Sequence, residues 1–293
     1  MINSLLNRKP KNSSSIKVTD SKGNLISTSQ NVAEEFNNYF SKIASTVKEQ
    51  ISARMVFDPG GFEKFLQNPC QNSLFLRQTD NYEVHDIVSG FKNKSTLDTR
   101  IEPLKIANNC FNFTDVLSKI VNASFQQGIF PQSLKVAKVV PIHKEGSKTD
   151  VSNYRPISLL SCFSKIFEKI MHNRILGFLD KNELLCDTQY GFRPGRSCEQ
   201  ALLNANNHIL DALSKKQIAL LLLIDFSKAF DVVEHSILLH KLQHYGIRGP
   251  ALNWLETYLS ERKQFVSIDS VNSSLKPIKY GVPQGSVLVH CYL

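Results

Sequence analysis

The residues best suited to chemistry lie in Leu220-Leu-Leu-Leu-Ile-Asp225-Phe-Ser-Lys-Ala-Phe230-Asp231, where an apolar run ends in a carboxylate. Four leucines and an isoleucine ahead of Asp225 predict a strand covered on both faces. An acid delivered by such a strand is held rigidly, as metal-dependent chemistry requires. A core strand ending in a helix-starting Asp would look the same. The turn after it predicts backbone amides at Ser227, Lys228 and Ala229 facing outward, where they could bind phosphate. Asp225 would then hold Mg2+, which takes carboxylate oxygens and bound phosphates. Phe230 would lie under the sugar of a bound nucleotide, where an aromatic ring crowds a 2′-hydroxyl and selects deoxynucleotides by clash.

A second element, Tyr280-Gly-Val-Pro-Gln-Gly-Ser286, follows ~50 residues on. Two glycines and a proline specify a tight, preset turn from which Gln284 can reach a nucleotide. A hairpin exit loop would have the same composition. Lys144, Arg155, Arg193 and Arg196 fall on loop-like stretches, where cations can close on a triphosphate. Lys148 and Lys165 read as ordinary solvated charges. His240-x-x-x-His244 has the helical spacing of a zinc pair but lacks an adjacent Glu and a third ligand. Cys198, near Arg193 and Arg196, has no base to pair with.

Elements must position these groups, and the composition allows a sizeable core. The chain has 293 residues, 42% hydrophobic and 21% charged, enough for one large domain or two modest ones. A net charge of +9 points to a polyanionic partner, and it is concentrated: residues 134–174 hold eight Lys/Arg against three Asp/Glu. The six cysteines form no Cys-x-x-Cys pair, and Met1-Ile-Asn-Ser-Leu-Leu turns polar too soon for a signal peptide. An intracellular protein, nuclear or cytoplasmic, is therefore expected. No apolar run approaches the roughly 20 residues of a membrane span.

Residues 1 to about 28 read as a linker with a turn at Asp20-Ser-Lys-Gly-Asn24. Val32, Phe36, Phe40, Ile43, Val47 and Ile51 recur at helical spacing and predict a helix over 30–51. Residues 56–79 read as loop, 81–92 as helix, 93–98 as a polar turn, and 104–127 as one or two helices. Residues 136–142 predict a strand, 157–179 an extended piece and a helix, 189–197 a loop, and the stretch to about 213 another helix. Two more helices are expected at 236–245 and 250–261, the second with Pro250 in its first turn. Strands at 263–268 and 275–280 flank a turn at 269–274. The domain reading is a linker with one amphipathic helix at 1–78, a helical extension at 79–135, and a catalytic-type domain at 136–293.

Taken jointly, several segments resemble the motifs of non-LTR (LINE-type) retrotransposon reverse transcriptases. They are Val139-Val-Pro-Ile-His-Lys-Glu-Gly-Ser-Lys with Asn153-Tyr-Arg-Pro-Ile-Ser-Leu-Leu160, Lys165-Ile-Phe-Glu-Lys-Ile170, Gln189-Tyr-Gly-Phe-Arg-Pro-Gly-Arg-Ser197, Ile224-Asp-Phe-Ser-Lys-Ala-Phe-Asp231 and Gly281-Val-Pro-Gln-Gly-Ser286. They stand in the family's order over about 136–288. The resemblance implies an α+β fold: the fingers and partial palm of a right-hand polymerase, preceded by a helical N-terminal extension, with the thumb absent. It implies RNA-templated DNA synthesis, with an RNA template, a DNA primer, dNTPs and Mg2+ as partners and cofactor. Asp225 would be the first metal-binding carboxylate, with main-chain contacts from Ile224 and Phe226. Phe230 would be the steric gate beside Ser227, Lys228 and Ala229. Gln284 and Gly285 would approach the incoming nucleotide, Lys144 and Arg155 would grip the triphosphate, and Arg193 and Arg196 would meet nucleic acid. A group II intron maturase shares Tyr190-Gly-Phe-Arg-Pro-Gly-Arg196 and is the alternative within the polymerase class.

Two departures shape the expectation. The family's Ser-x-Gly-x-Asp appears as Ser95-Thr-Leu-Asp98, without its glycine, and after Leu288 the chain reads Val289-His-Cys-Tyr-Leu293 instead of continuing to a Tyr-x-Asp-Asp hairpin. Two metal ions about 4 Å apart need more than one anchored carboxylate. The 293-residue chain is therefore expected to lack polymerase activity. The leading reading is the N-terminal portion of a reverse transcriptase; the alternatives are a non-catalytic nucleic-acid-binding remnant, or an unstable product whose strand at 220–225 lacks sheet neighbours.

Overall fold

The computed structural model describes residues 16–52, 60–66, 68–91 and 111–291. The linker at 1–15, Pro59, the Ser95–Asp98 stretch and the start of the helix expected from 104 lie outside the described residues. The fold mixes helices and sheet, as expected. A small hairpin, β1 (Val18–Thr19) and β2 (Leu25–Ile26), opens it. Helices α1 (Ser29–Ser52), α2 (Asn81–Ser89) and α3 (Phe111–Gln127) follow, then strands β3 (Val136–His143) and β4 (Tyr154–Leu159). Helices α4 (Cys162–Lys181), α5 (Cys198–Ser214), α6 (His235–His244) and α7 (Pro250–Leu259) lead to β5 (Arg262–Ile268), β6 (Val271–Asn272) and β7 (Lys276–Ile278).

The larger sheet runs β4-β3-β5-β6, with β7 also paired to β5. Strand β3 is antiparallel to β4, with Val140 opposite Ile157, and parallel to β5, with Val139 opposite Val266. Alternation along β3 turns Ala137, Val139 and Pro141 inward, the period-2 pattern of a strand with one face on a core. Between β5 and β6, Asp269 and Ser270 both take positive φ, 47° and 67°, as a two-residue hairpin turn requires.

Helix α1 covers this sheet. Its Val32, Ala33, Phe36, Phe40 and Ile43 pack with Val139, Tyr154, Val266 and Ile268, and the Phe36 and Tyr154 rings meet edge-on at 4.8 Å. Asn37 is fully buried at this seam, donating to the Ser274 carbonyl at 2.7 Å and accepting from Gln264 at 3.1 Å. The stretch read as linker to residue 28 contributes too. Val18 is buried, and the Thr19 N–H donates to the Thr149 carbonyl at 2.8 Å.

A second core joins α2, α3, α4, α6 and α7 around Trp254, which meets Phe125 and Phe130 edge-on at 5.5 and 5.2 Å. The Trp254 indole N–H donates to Ser124 Oγ at 2.9 Å, so the ring is buried with its polar atom satisfied. The buried Arg174 of α4 ties α2 to this core through two bonds to Glu83, at 2.7 and 2.6 Å. That guanidinium holds the Glu83 carboxyl below its ordinary value.

One expectation fails. The run expected as a strand buried on both faces, 220–225, carries no strand assignment, and Leu220 and Leu223 are 94% and 82% exposed. Apolar composition predicts a covered strand only where other strands take its N–H and C=O groups. Among the described residues the sheet extends from β4 to β6, and no strand in it pairs with residues 217–226.

Candidate nucleotide and nucleic-acid site

The turn at 281–286 is built by distant segments closing on it. Gly281 N–H donates to the Val233 carbonyl and Val282 N–H to the Phe230 carbonyl, both at 2.8 Å. The His235 ring bonds the Gly281 carbonyl at 2.7 Å. Gly281 has φ 76°, and a Cβ there would stand 2.7 Å from the Asp231 carbonyl oxygen, so this approach requires glycine. On the other side the Ser158 N–H donates to the Gln284 carbonyl at 2.7 Å, fastening the turn to β4. Gly285, at φ 118°, faces the Ser158 carbonyl, which a Cβ would meet at 2.7 Å.

This closure brings Gln284 to Asp231. The Gln284 amide nitrogen donates to both Asp231 carboxylate oxygens at 2.8 Å. Burial pushes the Asp231 carboxyl up from its ordinary value, while the Gln284 amide and Lys228 pull it down. Lys228 takes φ 56° in the preceding turn, where the Asp231 N–H donates to the Lys228 carbonyl at 2.9 Å. Its ammonium bonds the Tyr39 hydroxyl of α1 at 2.6 Å. Ser227 is exposed and Ala229 half-buried beside it. Phe230 is half-buried against the helical core, and Phe192 of the 189–197 loop meets it edge-on at 6.3 Å. A cavity of about 50 Å³ lies beside these groups, lined in part by Ser158, Asp231, Arg262 and Gln284.

The expected cations fall in two places. Lys144 and Arg155 share the β3–β4 hairpin, where Arg155 lies opposite Ile142 and the Lys144 N–H donates to the Asn153 carbonyl at 2.8 Å. Lys144 pairs with Glu145 at 2.9 Å and holds that carboxyl below its ordinary value, with Arg155 adding in the same direction. Arg193 and Arg196 are engaged with groups at 180–190, just ahead of them in the chain. Arg193 donates to the Cys186 carbonyl at 2.9 Å and lies 3.9 Å from Asp180, while Arg196 sits 5.6 Å from the Tyr190 ring centroid and 3.8 Å from Asp187.

Asp225 stands apart in character. It is exposed on the unpaired 217–226 segment, between Ile224 and Phe226, which are 72% and 77% exposed. Mg2+ takes near-octahedral oxygen coordination from anchored carboxylates and phosphates. Among the described residues no group of three or more His, Cys, Asp or Glu is placed to hold a metal. That donor set does not fit a two-metal centre. His240 instead pairs with Glu63 at 3.6 Å.

Sequence reasoning singled out Phe230 and Gln284 but gave Asp231 no role. The signal available was adjacency: whatever positions Phe230 also positions Asp231. Ser158 and Tyr39 carried no signal, since their roles depend on contacts far apart in the chain.

Comparison with known proteins agrees with the joint motif reading. The family described as reverse transcriptase (RNA-dependent DNA polymerase) matches residues 142–290. The chain is 36% identical over 233 residues to the RNA-directed DNA polymerase from mobile element jockey of Drosophila melanogaster, covering 77% of this chain and 25% of the relative. It is 36% identical over 173 residues to the probable RNA-directed DNA polymerase from transposon BS of the same organism, covering 59% and 19%. Against the putative 115 kDa protein in type-1 retrotransposable element R1DM, also of D. melanogaster, identity is 34% over 58% of the chain and 16% of the relative. The chain thus spans about a quarter or less of the length of these relatives. With half its residues inside the family match and its motifs in order, the chain belongs to the reverse transcriptase family, on the non-LTR retrotransposon branch.

Proposed function

We propose that this chain contributes the fingers and part of the palm of an RNA-directed DNA polymerase, binding an RNA template, a DNA primer and dNTPs. On this reading its residues bind and orient, and the chain by itself does not carry out nucleotide transfer. The observation that carries the reading is the closure of the 281–286 turn on 230–235, which sets Phe230, Asp231 and Gln284 side by side. Phe230 would lie beside the sugar. The Gln284 amide nitrogen is committed to Asp231, so its Oε1 is the acceptor left for a nucleotide or template base. Lys144 and Arg155, on one hairpin, supply positive charge to phosphates. The exposed Asp225 keeps the role of a metal-facing carboxylate only where further ligands are brought to it.

Two measurements on the purified chain test this. Fluorescence anisotropy with an RNA–DNA hybrid is expected to show weak, salt-dependent binding. If four cations each neutralise one phosphate, affinity falls about 100-fold between about 50 and 200 mM salt. Changing Lys144 and Arg155 together to Glu is expected to reduce the salt slope by about two. Primer extension with dNTPs and Mg2+ is expected to give no product. Binding indifferent to salt overturns the binding half of the proposal, and appreciable incorporation overturns the other half.

A further inference from the structure

Glu168 is a carboxylic acid with no exposed surface, set in helix α4. A charge or a bare acid in such a place is costly unless its oxygens are engaged. Both are. Ser164, one helical turn earlier, donates to Oε1 at 2.6 Å. The backbone N–H of Val287 donates to Oε2 at 2.7 Å. Val287 directly follows the 281–286 turn, so an acid from the helical core holds the far end of the segment carrying Gln284.

Two further polar groups converge there. Arg262 opens β5 almost fully buried, donating to the Tyr258 carbonyl at 3.0 Å and lying 4.8 Å from the Tyr258 ring centroid. The Tyr258 hydroxyl is buried without a hydrogen bond of normal geometry. Burial, and next the Glu168 carboxylate, push its ionisation far up. Burial likewise pushes the Glu168 carboxyl up, with Ser164, Val287 and Arg262 opposing it. An apolar side chain of equal volume would fill this space at lower cost. What it could not do is accept the Val287 N–H.

We propose that Glu168 is a positioning residue: by holding Val287 from beneath, it fixes the 281–286 turn and thereby the place of Gln284. The proposal rests on reading that turn as a nucleotide-facing wall. Of the turn's anchors, the Ser158 bond and the bonds to 230 and 233 restrain its middle and start. Glu168 restrains its end.

Residue-resolved amide hydrogen exchange on the whole chain tests this. In the natural chain the Val287 amide, outside any strand or α-helix, is expected to exchange as slowly as amides of α4. Glu168→Gln keeps an acceptor and is expected to retain that protection. Glu168→Asp draws the carboxylate back by one methylene, and Glu168→Leu removes the acceptor. Both are expected to speed exchange at 284–287 by about tenfold or more, leaving α3 and α7 unchanged. Both are also expected to weaken RNA–DNA hybrid binding severalfold. Free exchange at Val287 in the natural chain overturns the proposal whether or not a variant folds. So does equal acceleration throughout the core, which marks Glu168 as a general structural group. A natural chain that binds no hybrid defeats the functional reading while leaving the exchange result to judge Glu168.

Discussion

Asp231 and Gln284 lie 53 positions apart and answer each other's needs. The carboxylate, half-buried, gains an amide donor on both oxygens, and the amide gains a fixed orientation. The pair also sets a pH dependence. Burial raises the Asp231 carboxyl, so the folded chain binds that proton more tightly than the unfolded chain. Stability from this group is therefore fully present below the unfolded value near 3.9 and is lost as pH rises through the higher folded value. Asp231→Asn has no such titration. The melting-temperature advantage of the natural chain over Asp231→Asn is expected to shrink as pH rises from about 4 to 7, which thermal melts across that range will read. A widening advantage would place the carboxylate in a stabilising field instead. Of this arrangement the sequence disclosed Phe230 and Gln284 individually, because glycine, proline and an aromatic after an acid are local signals. It did not disclose the bond between Gln284 and Asp231, which exists only once β4 and residues 230–235 are assembled.

Helices with a clear period and a cap appear where their residues predict them. Helix α4 begins at Ser161, whose hydroxyl accepts from the Phe163 N–H, and α5 begins at Ser197 in a reciprocal capping box with Gln200. Strand β3 is equally legible from its alternation. Residues 220–225 are the instructive contrast. Their composition states that they avoid water when they can, but it does not name a partner, and a strand is a relation between segments. Helix α5 shows the same condition, with Leu202, Leu203, Leu210 and Leu213 all exposed. Exposed leucines such as these and those of 217–226 are of the kind that drives self-association. Leu220→Lys with Leu222→Lys is expected to raise the concentration at which the chain stays monomeric in light scattering. Its melting temperature is expected to change little, since exposed positions seldom contribute more than about 0.5 kcal/mol. A large drop in melting temperature would show that the segment is packed after all.

Across the whole molecule, two cores divide the labour. The helical core anchors the turn from below through Glu168, and the sheet with α1 faces it from the other side through Ser158. The Lys228 bond to Tyr39 links α1 to the turn before Phe230. The net charge of +9 is consistent with a polyanionic partner. Lys144 and Arg155 on the β3–β4 hairpin give that charge a location.

The fastening of the 281–286 turn to residues 158, 168, 230 and 233 also bears on how the chain acquires its shape. Each of those bonds closes a loop of roughly 50 to 125 residues, and such long-range closures come late in folding. The 281–286 turn is therefore expected to assemble after the rate-limiting barrier has been crossed. Gln284→Ala, which takes away the clamp on Asp231, is expected to speed unfolding about five- to thirtyfold in stopped-flow experiments while leaving refolding nearly unaltered. The turn would then be among the last parts to form.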